Sequence, residues 1–443
     1  MLGGIRVAAE TFKGGIHPPE HKEFTEDLAI ERLPIPKNVI IPLVQHIGAP
    51  CEPIVKVKEQ VKVGQKIAEM QGFVSAPIHA SVSGTVKKIG EREISSGNKC
   101  LCIEIESDDK DEWIQQPLDR SLDELNPGEI VDIMREAGIV GMGGAGFPTH
   151  VKFSLPEDVN VDTIILNGAE CEPYLTCDYR LMIENGKEVV FGLQAMMKSI
   201  NVKKGIIAIE NNKPEAINNM KKITKDIDGI FVKELKTKYP QGGEKQLIDA
   251  VLKRRVPSGK LPMHVGVVVN NIHTAYSTGV AVKAGIPLVE RVLTISGQGV
   301  NNPKNVLVRF GMLYDEILNH CGGLKDSTKK IVVSAPMTGF AQYRLDFPID
   351  KRTSGVVALT ENEVDMTPES PCIRCGRCVD VCPINLIPSK LDTLSRLGDY
   401  AKANEYHIMD CIECSSCAYI CPAHRHLVQS IVSGKNSVRA MND

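Results

Sequence analysis

The chain has 443 residues, of which 42% are hydrophobic and 24% are charged, a composition typical of a soluble globular protein with about two to four domains. The formal net charge of −3 excludes a strongly basic nucleic-acid-binding protein, and the absence of a run of about 18 apolar residues predicts no membrane-spanning helix. The chain starts without the apolar run of a secretory signal, so its 14 cysteines predict a reducing cytoplasm.

Residues 1–35 are predicted to be an N-terminal segment without regular structure. Its most distinctive stretch, residues 13–20, is KGGIHPPE, and glycines and prolines at this density interrupt helices and strands. A loop histidine usually has no specific role, so a binding role for His17 is only the alternative.

Residues 36–110 alternate apolar and polar positions in short runs that end at glycine or proline, a pattern typical of β-strands. The runs 61–68 and 75–86 are similar to those of biotinyl- and lipoyl-carrier domains, which present a lysine at the tip of the hairpin between them. Here the tip lies near Gln71, and no lysine occurs between Lys66 and Lys87. We therefore predict a barrel-sandwich module with a structural role.

From residue 120 to residue 285, predicted strands and helices alternate. Strands are predicted at 163–166, 205–209, 230–235 and 265–269, and helices at 129–137, 186–199, 214–223, 244–253 and 274–284. This alternation predicts a mainly parallel sheet with helices packed on its faces. Ligands of such sheets bind where loops leave the carboxyl ends of the strands.

The last part of the chain is predicted to hold two smaller modules. Residues 286–345 contain strand-like runs at 289–295 and 306–310 around a helix at 313–320, which suggests a β-grasp module. Residues 360–430 contain most of the cysteines, and a predicted helix at 386–397 favours an α-helical ferredoxin domain over a β-rich one.

Eight cysteines form two copies of the pattern C-x2-C-x2-C-x3-C-P. This spacing holds [4Fe–4S] clusters, and the fourth cysteine of each run binds the other cluster. The prediction is one cluster on Cys372, Cys375, Cys378 and Cys421, and another on Cys411, Cys414, Cys417 and Cys382. Structural zinc and disulfides are the alternatives, but zinc explains neither the third cysteine nor the proline of each copy.

A second motif is the glycine-rich stretch 141–149, which reads GMGGAGFPT. Four glycines within six positions let the backbone approach a ligand closely and direct several N–H groups at one anion. A phosphate-binding loop and a plain flexible turn are both compatible with this composition. The spacing differs from the dinucleotide fingerprint, and no Gly-Lys-Ser/Thr follows as in a Walker loop.

Three polar stretches lie at the ends of the predicted strands or before a helix. They are NGAECEPY at 167–174, KYPQGGEK at 238–245 and the pair Asn270-Asn271. Each alone is weak evidence, because Asn and Gly also end strands through their turn chemistry. Together, at one edge of a sheet, such residues can bind the donors and acceptors of a flavin ring.

These motifs together resemble the flavin and NADH site of the flavoprotein subunit of respiratory complex I. With the N-terminal GGIHPPE and the two cysteine motifs, residues 5 to about 430 resemble the C subunits of Rnf electron-transport complexes. The resemblance implies a multidomain α/β fold with a biotinyl/lipoyl-like sandwich, a Rossmann-like flavin/NADH domain, an SLBB-like β-grasp module and an α-helical ferredoxin domain with two clusters.

The resemblance also implies ligand-binding residues. FMN would be bound by Gly141, Gly143, Gly144, Lys152, Asn167, Glu170, Tyr239, Gly242, Gly243, Asn270 and Asn271. NAD(H) would contact Glu172 and Glu244, with Phe147 stacking on a base. Complex I flavoproteins have an aspartate where this chain has Ala169, so flavin binding would be weaker or differently arranged. Cys171 and Cys177 are expected to be packing thiols.

The resemblance implies an NAD-dependent ferredoxin oxidoreductase subunit of the translocase class. A flavin can connect the two-electron carrier NADH to one-electron clusters, so no catalytic acid or base is expected. The implied partners are the membrane subunits, the iron–sulfur B subunit and, indirectly, ferredoxin, with no nucleic acid. The chain would be peripheral on the cytoplasmic face of the membrane.

Two other functions remain open at this stage. One is a soluble flavin and iron–sulfur reductase, such as a cobalamin reductase, which shares the flavin and cluster motifs. The other is a scaffold that uses its clusters only as an electron wire. The N-terminal GGIHPPE favours the Rnf subunit over the reductase.

Overall fold

The computed structural model describes residues 9–442, so residues 1–8 of the predicted N-terminal segment lie outside the described part. The segment that follows, residues 10–25, is called the strap below. It contains isolated β-bridges at Glu10 and Ile16, and a two-residue strand, β1 (Glu31–Arg32), follows it.

The first module is a barrel sandwich of short antiparallel strands. Its strands are β2 (Asn38–Pro42), β3 (Glu52–Pro53), β4 (Gln60–Val61), β5 (Lys66–Glu69), β6 (Ile78–His79), β7 (Gly84–Glu93) and β8 (Lys99–Ser107). One sheet has the order β2-β8-β7-β4 and the other β3-β5-β6. Alternate residues such as Ile41, Ile67 and Ile103 are buried between them, as the period-two pattern predicts. The predicted sandwich fold is confirmed.

The second module is a parallel sheet covered by helices on both faces. Its elements are α1 (Pro127–Glu136), α2 (Thr149–Phe153), β9 (Thr163–Gly168), α3 (Cys177–Glu184), α4 (Gly186–Ser199), β10 (Lys204–Glu210), α5 (Pro214–Thr224), β11 (Ile230–Leu235), α6 (Glu244–Leu252), β12 (Val267–Asn271) and α7 (Ile272–Ala284). The strand order is β11-β10-β9-β12, and every pairing is parallel.

Alternate residues of β9 divide between the two cores of this module. Ile164 and Leu166 pack with the helices α1, α3, α4 and α5, whereas Ile165 packs with α6. Helices α4 and α7 cross closely at Gly192. A Cβ at this position would lie 1.8 Å from the carbonyl oxygen of Ala275. Only glycine allows this approach.

The third module is a six-stranded sheet with one helix. Its elements are β13 (Glu290–Ser296), β14 (Lys304–Arg309), α8 (Tyr314–His320), β15 (Thr328–Val333), β16 (Phe340–Gln342) and β17 (Gly355–Thr360). The strand order is β1-β14-β13-β17-β15-β16. The sheet thus takes β1 and β17 from outside the range 286–345 named from the sequence. The predicted β-grasp class is confirmed by the family comparison reported below.

All the regular elements in the described part of the fourth module are helices. Its helices are α9 (Arg377–Asp380), α10 (Pro388–Leu397), α11 (Tyr400–Glu405), α12 (Ser416–Tyr419) and α13 (Leu427–Asn442). Leu391 and Leu394 of α10 pack against Ile431 of α13. Short 3₁₀ turns occur across the chain at Leu122–Glu124, Pro262–Val265, Glu361–Glu363 and Ile408–Asp410.

A buried lysine joins three modules. The Lys351 ammonium, 1% exposed, donates to the carbonyl oxygens of Pro77 at 3.0 Å and Gly138 at 2.7 Å. Its backbone N–H donates to the Gln45 side chain. Burial lowers the pKa of Lys351 to about 8. The sandwich, the parallel-sheet module and the β-grasp module therefore share one polar junction.

Between residues 9 and 442 the helices are all too short or too polar to traverse a lipid bilayer.

Candidate functional site

The glycine-rich loop between α1 and α2 is held in place at both ends and open in its middle. The Gly141 N–H donates to the Phe147 carbonyl at 2.8 Å, and Phe147 is half-buried beside this turn. Gly143, Gly144 and Ala145 are exposed, and no atom lies within 4 Å of a Cβ built on Gly144. The loop therefore offers free backbone to a ligand.

Two distant residues fix this loop. The Met142 N–H donates to the Thr274 hydroxyl at 3.0 Å, and the Arg291 guanidinium donates to the Met142 carbonyl at 3.2 Å. Arg291 comes from β13 of the β-grasp module and is 1% exposed. These bonds favour an ordered binding loop over the flexible turn that composition alone left open.

The asparagines at the strand ends lie beside the glycine loops, as the sequence predicts. Asn167 at the end of β9 donates from its amide to the Gly242 carbonyl at 2.8 Å. A Cβ at Gly143 would lie 2.8 Å from the Asn271 amide nitrogen. Asn270 is buried, and its amide nitrogen has no hydrogen-bond partner. A buried donor without a partner is costly, so Asn270 is suited to a bound acceptor.

Glu170 supports a helix that sequence analysis missed. Its carboxylate accepts from the backbone N–H groups of Asp178 at 2.7 Å and Tyr179 at 3.2 Å, in the first turn of α3. The Asp178 carboxylate in turn accepts from the Asn271 amide at 2.5 Å. Burial raises the pKa of Asp178 to about 7, and the charge of Glu170 adds to this shift.

Glu172 contacts a loop of the β-grasp module. Its carboxylate accepts from the Thr338 hydroxyl at 2.7 Å and the Met337 N–H at 3.0 Å. The Tyr239 hydroxyl donates to it at 3.4 Å. Burial raises the pKa of Glu172, although these donors oppose the shift. The carboxylate lies at the junction of two modules.

A lysine of α2 lies beside β12. The Lys152 ammonium donates to the Val269 carbonyl at 2.9 Å and lies 3.5 Å from the carboxylate of Glu244, the first residue of α6. The exposed Glu244 and the half-buried Lys152 therefore place one charge of each sign at the carboxyl edge of the sheet.

The loop 239–243 lies against Cys171. The Gly242 N–H donates to the Cys171 sulfur at 3.3 Å. A Cβ at Gly243 would lie 2.5 Å from the Gln246 side-chain oxygen, so the turn into α6 is tightly packed. Burial raises the pKa of the Cys171 and Cys177 thiols, which agrees with neutral packing thiols.

His17 lines a cavity of about 120 Å³ at the ends of β10 and β11, together with Cys171 and Tyr239. Lys22 and Glu210 also line this cavity. The Lys22 ammonium donates to three backbone carbonyls, including Leu175 at 2.7 Å, and Glu210 pairs with Lys213 at 3.5 Å. Because these buried charges already have partners, the cavity gives His17 no evident ligand.

The eight cluster-motif cysteines surround two cavities in the helical module. One cavity is lined by Cys382, Cys411, Cys414 and Cys417, and the other by Cys372, Cys375, Cys378 and Cys421. Each fourth cysteine thus lies with the opposite motif. Backbone N–H groups donate to sulfur in both, from Leu386 to Cys382 at 3.3 Å and from Arg374 to Cys372 at 3.4 Å.

The two cavities differ in their surroundings. Cys372 and Cys375 are exposed, whereas Cys382 and Cys417 are buried. The cavity of Cys382 faces the parallel-sheet module, because the Gln246 side chain donates to the carbonyl of Pro383 at 3.3 Å. Burial raises the pKa of Tyr239, and the charge of Glu172 adds to this shift.

Sequence reasoning missed Asp178, Arg291 and Thr338. Asp178 stands in the first turn of α3, where acidic residues are favoured, so recognition of that helix would have drawn attention to it. Arg291 and Thr338 have no local signal, because each acts on a loop more than a hundred residues away.

The residues present fit the groups that the motifs imply. An open glycine loop, the unpartnered Asn270 donor and the cation Lys152 suit a flavin with a phosphate. Four sulfur atoms around each of two cavities, with N–H donors to sulfur, suit iron–sulfur clusters.

Comparisons with known proteins agree with each module. Residues 10–110 match the RnfC Barrel sandwich hybrid domain and residues 134–279 the Nuo51 FMN-binding domain. Residues 292–341 match the SLBB domain and residues 371–424 the 4Fe-4S dicluster domain. The predicted fold class is therefore confirmed, and so are the FMN and [4Fe–4S] cofactors expected of these domains.

Full-length relatives are also similar to this chain. The C subunit of the proton-translocating ferredoxin:NAD(+) oxidoreductase complex of Clostridium ljungdahlii is 50% identical over 98% of this chain and 95% of its own length. The corresponding protein of the Na(+)-translocating complex of Acetobacterium woodii is 45% identical over 98% and 99%. The C subunit of the ion-translocating oxidoreductase complex of Rhodobacter capsulatus is 41% identical over 97% and 83%. The chain therefore belongs to the family of C subunits of ion-translocating ferredoxin:NAD(+) oxidoreductase complexes.

Proposed function

We propose that this chain passes electrons between NAD(H), FMN and two [4Fe–4S] clusters, as part of a complex that couples ferredoxin:NAD+ oxidoreduction to ion translocation. The observation that carries the proposal is the hydrogen bond from Gln246, just after the loop 239–243, to Pro383 of the cysteine module. A flavin-type site and two four-cysteine cavities thus belong to one packed unit. The family supports this function over a cobalamin reductase or a scaffold.

FMN would be held by the glycine loop and the strand ends. Gly141, Gly143 and Gly144 would offer backbone to it, with Lys152 as a nearby cation. Asn270 would supply its free amide donor, and Asn167, Asn271, Tyr239, Gly242 and Gly243 would line the remaining edge. Glu170 would act mainly by fixing α3, because both its oxygens already accept helix N–H groups. Bound FMN would exchange electron pairs with nicotinamide and single electrons with clusters.

NAD(H) would contact the outer part of the same edge. Phe147 would stack on a base, and Glu172 and Glu244 would accept from ribose hydroxyls. Because Thr338 and Met337 hold the Glu172 carboxylate, the β-grasp module would help to orient this acceptor. Ala169 provides no side-chain acceptor, and its carbonyl binds the buried Lys213 ammonium at 2.7 Å.

The two cysteine groups would hold clusters at different distances from the flavin. The group of Cys382, Cys411, Cys414 and Cys417 faces the loop 239–243 and would receive electrons from the flavin. The group of Cys372, Cys375, Cys378 and Cys421 is nearer the surface and would exchange electrons with a partner. Backbone N–H donors to sulfur would raise the potentials of the clusters.

The family supports a proposal for the partners and the location of this chain. The relatives are named as subunits of proton- or Na(+)-translocating complexes. We infer that membrane subunits move the ion and that an iron–sulfur B subunit exchanges electrons with this chain, with ferredoxin further along. This chain would lie peripherally on the cytoplasmic face of the membrane.

An anaerobic titration with NADH tests the proposal. Purified protein with FMN and reconstituted clusters should lose its flavin absorbance on addition of NADH and develop EPR signals of reduced clusters. Absorbance and EPR together count the electrons taken up. If NADH leaves the flavin oxidised, the proposed function is wrong. Reduction of cob(II)alamin by the isolated chain would instead support the reductase alternative.

A further inference from the structure

The strap lies between the loop 239–243 and the loop that carries Cys382. Ile16 and Tyr239 exchange both backbone hydrogen bonds, at 2.8 Å and 2.9 Å. One residue earlier, the Gly15 N–H donates to the Val381 carbonyl at 2.8 Å. Two consecutive strap residues are therefore bonded to the flavin-side loop and to the cluster loop.

Two consecutive glycines of the strap lie against these loops. Gly14 and Gly15 have φ values of +87° and +79°, a region that other residues adopt only with strain. A Cβ at Gly14 would lie 3.1 Å from the Cys382 carbonyl oxygen, and one at Gly15 would lie 2.6 Å from the Tyr239 carbonyl oxygen. A side chain at either position would push the two loops apart.

The rest of the strap is anchored on the parallel-sheet module. Phe12 and Ile16 are buried, and the Lys238 ammonium donates to the Phe12 carbonyl at 2.7 Å while lying 4.1 Å from the centre of its ring. Glu10 extends the edge of the sheet through a parallel bridge to Leu235. The strap is thus a fixed part of this module, and its glycine pair meets the cluster loop.

Other bonds between these two modules are few and come from side chains. Gln246 donates to the Pro383 carbonyl at 3.3 Å, and the Ser258 hydroxyl donates to Asp410 at 2.6 Å. The strap adds a backbone-to-backbone bond next to a cluster-group cysteine. Backbone bonds position loops more rigidly than exposed side chains do, because no side-chain rotamers need to be fixed.

We propose that the strap is a positioning element that sets the separation between the flavin-side loop and the cluster group of Cys382 through Gly14 and Gly15. The kinetic part of the inference rests on the proposed function, because electrons would cross this junction. In each transfer the flavin would be oxidised by one electron and the cluster reduced by one, with no bond made or broken between them. The KGGIHPPE stretch then has a role that its sequence alone did not reveal.

Hydrogen exchange tests the contact independently of activity. In Gly15→Ala we expect peptides covering residues 10–17 and 379–385 of the purified holoprotein to exchange about tenfold faster, because the protected Gly15 amide is released. Gly97→Ala is the matched control, since Gly97 has φ +80° and no atom within 4 Å of a Cβ. Unchanged exchange in Gly15→Ala would overturn the proposal.

Light-driven flavin reduction tests the electron-transfer role without NADH. After photoreduction of the bound FMN, we expect the clusters of Gly14→Ala and Gly15→Ala to be reduced several-fold more slowly, because electron transfer slows as the separation between donor and acceptor grows. Flavin and iron contents should equal those of wild type. A wild-type rate in Gly15→Ala would contradict the positioning role, whereas failure of NADH alone would count only against the proposed function.

A milder variant tests the positioning role of the strap if Gly15→Ala loses its clusters during purification. Lys238→Met removes the bond to the Phe12 carbonyl and the ring contact while leaving the glycines intact. We expect it to keep full iron and to slow cluster reduction measurably in the same direction, with faster exchange of residues 10–17. Wild-type values in both measurements would overturn the proposal.

Discussion

The flavin-type edge and the cysteine module are built in opposite ways. Each cysteine cavity takes three of its sulfurs from seven consecutive residues and one from the other copy of the motif. The flavin-type edge collects residues from Gly141 to Thr338, and the β-grasp module holds its Met142 carbonyl and its Glu172 carboxylate. A local motif specifies the first site, whereas the second depends on the assembled fold.

This difference predicts how far the effect of a substitution extends from the substituted residue. A change in one cysteine group should stay within that group, because no cysteine lines both cavities. A change at the flavin-type edge should also affect α3 and the β-grasp module, because residues of both hold this edge in place. The following substitutions test this contrast, from the largest expected effect to the smallest.

Cys421→Ala should remove one cluster and spare the other. Cys421 lines the cavity of Cys372, Cys375 and Cys378, so we expect loss of that cluster and of about half the iron. Iron analysis and EPR of the reduced protein measure the result. Cys321→Ala, at a buried cysteine outside the helical module, should keep all the iron. Loss of the Cys411-group signal instead would refute the grouping.

Gly143→Val should abolish FMN retention while both clusters remain. The added side chain would meet the Asn271 amide at 2.8 Å and fill the open side of the loop. Flavin content per protein after gel filtration measures the effect. Gly90→Val is the control, because the Lys88 side chain is the only neighbour within 4 Å there. Wild-type FMN content in Gly143→Val would show that the loop has another role.

Asp178→Asn should change how stability depends on pH. The folded pKa of about 7 lies above the unfolded value of about 3.9. Between these values the folded state holds a proton that the unfolded state has lost, so wild-type stability falls as pH rises to about 7 and then levels off.

The variant lacks this loss of stability with rising pH. In wild type the loss amounts to about 1.4 kcal/mol in the free energy of unfolding for each unit by which the two pKa values differ. We therefore expect the Tm of Asp178→Asn, relative to wild type, to increase between about pH 5 and about pH 8 in excess FMN. Asp119→Asn, on the surface, is the control. A Tm difference that does not change with pH would contradict the assignment.

Thr338→Val should have the smallest effect. It removes one donor from the Glu172 carboxylate, and a hydrogen bond of this kind contributes about 1 kcal/mol. We expect the KM for NADH to rise about fivefold, with FMN content unchanged. Thr393→Val, at an exposed position of α10 in the cysteine module, should leave the KM unchanged. An unchanged KM in Thr338→Val would show that the β-grasp module does not contribute to nucleotide binding through Glu172.

The same contrast explains what the sequence predicts well. The cysteine spacing identifies the cluster domain because all the information lies within two short stretches. The strands β9 to β12 were predicted because each is a short apolar run next to a helical pattern, and parallel strands buried on both faces read as such runs. The glycine loop was recognised because its four glycines fall within six positions.

The missed features depend on distant contacts. Helix α3 begins beside Glu170, whose carboxylate caps it across a loop, so no local pattern marks its start. Arg291 lies in a strand that reads as ordinary β-structure, and its support of Met142 appears only when two modules pack. The glycines of the strap were visible in the sequence, but the loops they separate lie more than two hundred residues away.

The junction at Lys351 limits how this architecture can be rearranged. Its ammonium satisfies carbonyls of the two modules that precede it in the chain, and an unpaired buried polar group costs about 1–3 kcal/mol. A fragment cut between these modules loses either the donor or its acceptors. A module taken from a distant homologue would have to conserve the groups that contact Lys351. Recombination between homologues should therefore succeed only when all three modules are exchanged as one unit.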